Sequence, residues 1–230
     1  MKRIIAIVVA TAALVLSPPV DAGVIVIPGA AGGDFTVKVT SLKEARFKTT
    51  IRQQFDFSCG SAALATLLTF HYEDPLSETE VFKAMYDAGD QVKIKKDGFS
   101  LLDIKNYLKT RGYRADGFRT TLEQLAGLGI PAIVLINQQG YRHFVVIKGV
   151  TEREVLLGDP SQGARRMPRE QFEAMWNGLL FLIRDQQEVA NRYFNRQGEW
   201  QIHARAPLGL AVQNSELANL TWLRSGERDF

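Results

Sequence analysis

Cys59 is the only cysteine in 230 residues, so no disulfide within the chain can staple its loops, and the fold must be held by packing of its apolar side chains. It stands in Gln53-Gln54-Phe55-Asp56-Phe57-Ser58-Cys59-Gly60, directly ahead of the run Ser61-Ala62-Ala63-Leu64-Ala65. From Ser61 to Phe70 the residues are small or apolar on nearly every face, a pattern that predicts a buried central helix. That helix is expected to begin at Gly60 or Ser61, where unpaired backbone N–H groups would point at the sulfur. A lone thiol so placed reads as a nucleophile, and the chemistry it suggests is acyl transfer.

Residues 1–22 read as a secretory signal: Lys2 and Arg3 precede the apolar stretch from Ile4 to Leu16, and Val20-Asp21-Ala22 offers a cleavage site before Gly23. The apolar run is shorter than the roughly 20 residues that span a bilayer, and Pro18-Pro19 ends it. A periplasmic location is therefore expected, with no stable membrane insertion once the signal is removed. The remaining chain of about 208 residues is enough for one domain with a full core. Formal charge is +3, and about +2 without Lys2, Arg3 and Asp21, which argues for neither nucleic acid nor a membrane surface as partner. The cluster Lys93-Ile94-Lys95-Lys96 is read as a solvated loop or strand edge. No internal repeat, phosphate loop or dinucleotide-binding glycine pattern is found, so nucleotide-driven chemistry is not expected.

Residues 23–47 form a leader with two strand-like runs, Val24-Ile25-Val26-Ile27 and Phe35-Thr36-Val37-Lys38-Val39. Gly32-Gly33 within it is read as a linker pair, with self-processing between Gly33 and Asp34 as the alternative. The domain proper is placed at 48–184. In it, Ser77-Glu78-Thr79-Glu80 and Thr121-Leu122-Glu123-Gln124 match the capping box and Ser100 with Asp103 is a looser relative, so helices should start near 78, 101 and 122. The period then changes. Ala132 to Ile136, His143 to Ile147 and Glu154 to Leu157 are short β-rich runs split by turn residues, as in an antiparallel meander. A short helix over Pro168 to Trp176 and a last strand from Leu179 to Ile183 complete an α+β arrangement, helices first and strands second. Residues 185–230 turn polar and are taken as a C-terminal extension packing on the domain.

Thiolate catalysis needs an imidazole, and there are three histidines. His71 lies twelve residues along the helix from Cys59, roughly 18 Å at the helical rise, and is better placed as a C-terminal helix cation. His203 falls in the polar tail. His143 opens an apolar strand, where packing alone would favour an aliphatic residue. Asp159 follows sixteen residues later, at the end of the next strand. If the two strands pair antiparallel, its carboxylate can reach one ring nitrogen while the other faces Cys59. The competing reading of Asp159-Pro160 is a turn opener. An oxyanion would need the Cys59 N–H and a side-chain amide, which Gln53 can supply, with Gln54 as its neighbouring competitor.

Gln53 six residues before Cys59-Gly60, Gly98-Phe99-Ser100-Leu101-Leu102-Asp103-Ile104, Pro131-Ala132-Ile133, His143-Phe144-Val145-Val146, Asp159-Pro160, and Phe172 with Trp176-Asn177-Gly178 together resemble the bacteriocin-processing, double-glycine cysteine peptidases. The resemblance runs from about residue 48 to 184. It implies a papain-like fold, a Cys59–His143–Asp159 triad, Gln53 in the oxyanion hole, cleavage after a Gly-Gly pair, and no metal or organic cofactor. Two departures stand out: many members are domains of ATP-driven exporters, and an acidic residue often occupies the place of Ser58. Stand-alone exported members similar to this chain accompany functional-amyloid fibril systems. That likeness implies peptide or protein substrates, among them amyloid subunits or their secretion machinery. The alternative is a non-catalytic peptide-binding module of the same fold that handles secretion substrates.

Overall fold

The computed structural model describes residues 24–28, 34–38 and 41–201. The signal segment, Gly32-Gly33, His203 and the apolar stretches at 208–212 and 220–223 lie outside the described residues. The chain divides between Glu44 and Ala45 into two units. In the first, β1 (Val24–Pro28) and β2 (Asp34–Lys38) pair antiparallel with Val24 opposite Lys38, and α1 (Leu42–Arg46) follows at the division.

The second unit is organised around α2 (Cys59–His71), which begins at the cysteine itself rather than one or two residues later. Ser58 precedes it without capping it. Its hydroxyl instead accepts the Phe55 N–H at 3.1 Å and donates to the Phe55 carbonyl at 3.0 Å, closing the approach loop into a tight turn. Gly60 is required by space: a Cβ there would stand 2.9 Å from the Phe99 Cβ. The helix is buried on nearly all faces, as its small residues permit, with Ala62, Ala63, Leu64, Ala65, Leu67 and Leu68 fully enclosed.

Three capping boxes set the surrounding helices, α3 (Glu78–Ala88), α5 (Leu101–Thr110) and α6 (Leu122–Leu128). In each the cap hydroxyl accepts from the backbone three residues on, and that residue's side chain returns the bond. Ser100 and Asp103, the looser match in sequence, make a complete box. The lysine cluster is neither loop nor strand edge. It forms α4 (Gln91–Asp97), because Asp90 caps the N–H groups of Val92 and Lys93, both at 3.1 Å, and Ile94 is buried beneath the turn.

Six antiparallel strands form the sheet: β3 (Ala115–Arg119), β4 (Ala132–Gln138), β5 (Tyr141–Val150), β6 (Glu154–Asp159), β7 (Gly163–Pro168) and β8 (Trp176–Ile183), in the order β3-β8-β4-β5-β6-β7. The expected meander is β4 to β6. The two edge strands, β3 and β7, were not foreseen. α7 (Arg169–Met175) crosses back so that β8 enters between β3 and β4. α2 packs on β5 and against α3, which sets the start of the helix near the start of the strand.

The segment after Arg184 is built into this unit as far as it is described. α8 (Gln187–Asn191) and α9 (Gln197–Trp200) flank Asn195. The Asn195 side chain accepts the Val150 N–H at 2.8 Å and donates to the Val150 carbonyl at 3.1 Å, completing the end of β5. His71 ends α2 but is no helix cation. It is fully buried with neither ring nitrogen hydrogen-bonded. Burial, then the charges of Lys148 and Arg196, hold its pKa well below the ordinary value, so the ring is neutral.

Candidate active site

His143 and Asp159 are brought together by strand pairing. Val146 of β5 stands opposite Gly158 of β6, which leaves the two side chains at neighbouring strand ends with Nε2 and Oδ1 2.8 Å apart. Both are enclosed, at 1% and 0% exposure, so the pair is dry and its electrostatics are strong. The same Oδ1 also accepts the Ser161 N–H at 2.9 Å, the Ser161 hydroxyl at 2.7 Å and the Gln162 N–H at 3.2 Å. Asp159 thus opens the turn and holds the imidazole at once, and the two sequence readings of Asp159-Pro160 are not exclusive. Oδ2 is taken by Arg165 of β7, whose Nε donates at 3.0 Å. Neither Ser161 nor Arg165 was singled out from sequence.

For Asp159, burial is the largest influence and would raise the pKa, but the His143 ring, Ser161 and Arg165 together outweigh it and hold the carboxyl well below its usual range. For His143, burial would lower the pKa, yet the hydrogen bond to Asp159 and the neighbouring Cys59 thiol raise it to about 9. At neutral pH the ring therefore carries its proton. Nδ1, the nitrogen turned away from Asp159, makes no hydrogen bond of ordinary geometry. The Cys59 thiol is the ring's other influential neighbour. Tyr141 covers the imidazole, stacked at 5.8 Å between ring centres, with its hydroxyl donating to the Asp56 carbonyl at 3.2 Å.

Gln53 is fixed beside this pair through its backbone, its N–H donating to the Pro160 carbonyl at 3.0 Å. The segment that carries it is pinned at two further points. Ile51 N–H donates to the Thr66 hydroxyl of α2 at 2.9 Å, and Lys148 of β5 donates to the Thr49 carbonyl at 2.7 Å. The approach to the cysteine is thereby tied to the helix bearing Cys59, the strand bearing His143 and the turn after Asp159. The Gln53 amide donates to the Phe55 carbonyl at 3.1 Å, and its own oxygen is buried without a partner. Gln54 points elsewhere, donating to the Thr79 hydroxyl on α3 at 3.0 Å.

Cys59, only 6% exposed, lies at the floor of a cleft of about 900 Å³ walled by Phe57, Phe99, Leu101, Leu135, Tyr141 and Phe144. Among the described residues no group of three or more His, Cys, Asp or Glu is arranged to hold a metal ion, and no helix is long and apolar enough to cross a membrane.

A thiol at the head of a buried helix, near a dry imidazole–carboxylate pair, is the set of groups that cysteine peptidases use. Residues 48–188 match the Peptidase C39 family, and the chain belongs to it. The probable functional amyloid protease FapD of Pseudomonas aeruginosa is 42% identical over 157 residues, spanning 68% of this chain and 70% of that one. Its counterpart from Pseudomonas fluorescens is 40% identical over 171 residues, spanning 74% and 76%. In fold the chain is similar to the peptidase domain of ComA from Streptococcus, a bi-functional ABC transporter involved in quorum sensing. That likeness covers 59% of this chain and 96% of that domain, with a TM-score of 0.51 at 23% identity.

Proposed function

We propose that this cysteine peptidase is a periplasmic endopeptidase that cuts after small residues of the Gly-Gly type and serves the processing or secretion of functional-amyloid components. The observation that carries the reading is the buried His143–Asp159 pair, with Nε2 committed to the carboxylate and Nδ1 left facing Cys59. The location rests on residues 1–22 as a signal, and the amyloid connection on the FapD relatives.

In this reading the Cys59 thiolate attacks the scissile carbonyl, forming a carbon–sulfur bond and a tetrahedral oxyanion. The Cys59 N–H, free at the first turn of α2, donates to that oxyanion. The Gln53 amide joins it after leaving the Phe55 carbonyl. As the C–N bond breaks, protonated His143 gives its Nδ1 proton to the departing amine, and the neutral ring then takes a proton from water as the thioester is hydrolysed. Asp159 keeps Nε2 as a donor throughout and stays ionised. Side chains on either side of a Gly-Gly bond are what a floor enclosed by Phe57, Phe99 and Phe144 would turn away.

Comparing periplasmic and secreted peptides from cells carrying wild-type or Cys59→Ala protein tests this directly. New N-termini following small residue pairs, present only with wild type, are the expected result. Identical peptide sets from both strains would sink the proposal.

A further inference from the structure

The fold divides the two oxygens of Asp159. Oδ1 is shared among the His143 ring, Ser161 and the Gln162 N–H, whereas Oδ2 is met, among the described residues, by Arg165 alone. Strand register puts the arginine there. Asp159 of β6 stands opposite Gly163 of β7 and Leu157 opposite Arg165, which makes Arg165 the diagonal neighbour of Asp159 on one face of the sheet. Gly163 brings no side chain between them. Arg166, one position on, belongs to the other face and pairs with Glu154. Arg165 Nε donates to Oδ2 at 3.0 Å and Nη2 lies 3.0 Å from the same oxygen, with the side chain only 15% exposed.

One dry carboxylate therefore faces two cations. Each of them stabilises the anion and repels the other, and because a guanidinium does not give up its proton in a protein, that repulsion acts on the imidazole. The ring's other titratable neighbours are Cys59 of α2 and the stacked Tyr141 of its own strand, with Asp56 of the approach loop beside that tyrosine. Burial disfavours the charged ring, while Asp159 and Cys59 favour it. A general acid is most effective when it neither loses its proton too early nor holds it too firmly. An undivided carboxylate would hold the charged ring more firmly than this one does.

We propose that Arg165 is a positioning residue that fixes the plane of the Asp159 carboxylate and weakens its hold on the charged His143 ring, so that Nδ1 yields its proton to the departing amine. This rests on the peptidase reading above and adds to it a residue from the edge strand of the sheet. Arg165 acts through Asp159 and need not touch the substrate.

The test pairs a titration with kinetics on the full chain, using Arg165→Gln, which can still donate to Oδ2 without charge, and Arg165→Lys, which keeps the charge. His143 is titrated by NMR of its ring nitrogens. In Arg165→Gln its pKa should rise from about 9 to about 10, as removal of a nearby like charge requires; in Arg165→Lys it should stay near the wild-type value. On a Gly-Gly peptide, Arg165→Gln should lower kcat about tenfold at neutral pH with KM little altered, its alkaline limb moving to higher pH. Arg165→Lys should keep kcat within about threefold. A bracket of purely structural importance predicts the opposite titration, because a loosened Asp159 would let the buried ring's pKa fall. A pKa that falls or stays in Arg165→Gln, an equal rise in Arg165→Lys, or a rise without loss of kcat overturns the inference. Should Arg165→Gln not fold, Arg165→Lys carries the test, and a raised ring pKa there overturns it as well. Failure of the underlying reading looks different. If wild type cuts no Gly-Gly peptide while the ring titrates as expected, the peptidase proposal alone fails; if it cuts and the ring is indifferent to Arg165, only the role of Arg165 fails.

Discussion

Lys148 of β5 and Glu199 of α9 form an ion pair inside the protein, Lys148 fully enclosed and Glu199 nearly so. The pair joins residues 51 positions apart in sequence, and the same Nζ reaches the Thr49 carbonyl and hydroxyl at 2.7 and 2.8 Å. Lys148 is the extra residue of a β-bulge, between Ile147 opposite Leu157 and Gly149 opposite Leu156. The described part of the C-terminal segment is thus tied, through Lys148, to the segment that leads to Gln53. Burial is the main influence on the Lys148 pKa and lowers it, while Glu199 works to keep the ammonium charged. Removing one partner of such a pair strands the other charge. Glu199→Ala should cost about 3–5 kcal/mol in urea denaturation, and Lys148→Met with Glu199→Leu should recover much of it. A chain ending at Arg184 loses the pair and the Asn195 bonds to Val150, and it should not give a cooperative transition.

Asp159 supports the imidazole and anchors Arg165, so its replacement acts on both. Asp159→Asn should lower kcat/KM about 10²- to 10⁴-fold. With the carboxylate gone, burial governs His143 and its pKa should fall from about 9. The alkaline limb of the pH–rate profile should then move to lower pH, a change that loss of folded protein alone does not produce.

Titration of the pair has a defined sign. His143 has a folded pKa raised to about 9, so its contribution to stability is full below its unfolded value near 6.5 and is lost as pH rises through 9. Asp159 is depressed, so its contribution is present above the ordinary carboxylate range, near 3.9, and is lost as pH falls through its folded value. Between pH 7 and 10 the urea midpoint of wild type should therefore decline, and that of His143→Gln should decline less. The rate should fall along an alkaline limb near pH 9 as the ring gives up the proton the leaving amine needs.

What sequence made legible is local. Capping boxes, the all-round apolar helix and the β4 to β6 meander each depend on residues within a few positions, and the His143–Asp159 pairing followed from one hairpin. The missed strands, β3 and β7, are the two sheet edges. Their sequences, Ala115-Asp116-Gly117-Phe118-Arg119 and Gly163-Ala164-Arg165-Arg166-Met167-Pro168, carry the charge and glycine that unpaired edges need, and they lack a strand's apolar alternation. Arg165 went unseen for that reason, since it meets Asp159 only once β7 lies on β6. His71 was misjudged because its neighbours come from far along the chain, Tyr193 edge-on to its ring and Lys148 and Arg196 acting on its charge, beyond any local signal. α4 read as a charge run because its single inward residue, Ile94, gives no period.

Gly60 tests how tightly the nucleophile is held. Its added Cβ would meet the Phe99 Cβ at 2.9 Å and the Phe144 ring at 3.4 Å, and both residues are buried. Gly60→Ala should cost about 1–3 kcal/mol as overpacking does, read as a lowered thermal midpoint. Activity should fall further than stability, because the strain lies on the residue bonded to Cys59. Gly127→Ala, where a Cβ meets nothing within 4 Å, should leave both nearly unchanged.

Gln53 and Gln54 are adjacent in sequence, but the fold separates their duties. Gln53 is held beside the Asp159–Pro160 turn, and its buried oxygen without a partner fixes the amide poorly, so little opposes its swing from the Phe55 carbonyl toward a developing oxyanion. Loss of one such donor costs about 10²- to 10³-fold in kcat. Gln53→Ala should show that loss in kcat with KM little altered, because the donor acts on charge present only in the transition state. Gln54 spends its amide on Thr79 of α3 at the surface, and Gln54→Ala should keep kcat within about twofold, its lost bond being worth no more than about 1 kcal/mol. Steady-state kinetics on a Gly-Gly peptide read both variants. Equal losses, or a Gln53 defect confined to KM, would place the oxyanion donor elsewhere along the loop.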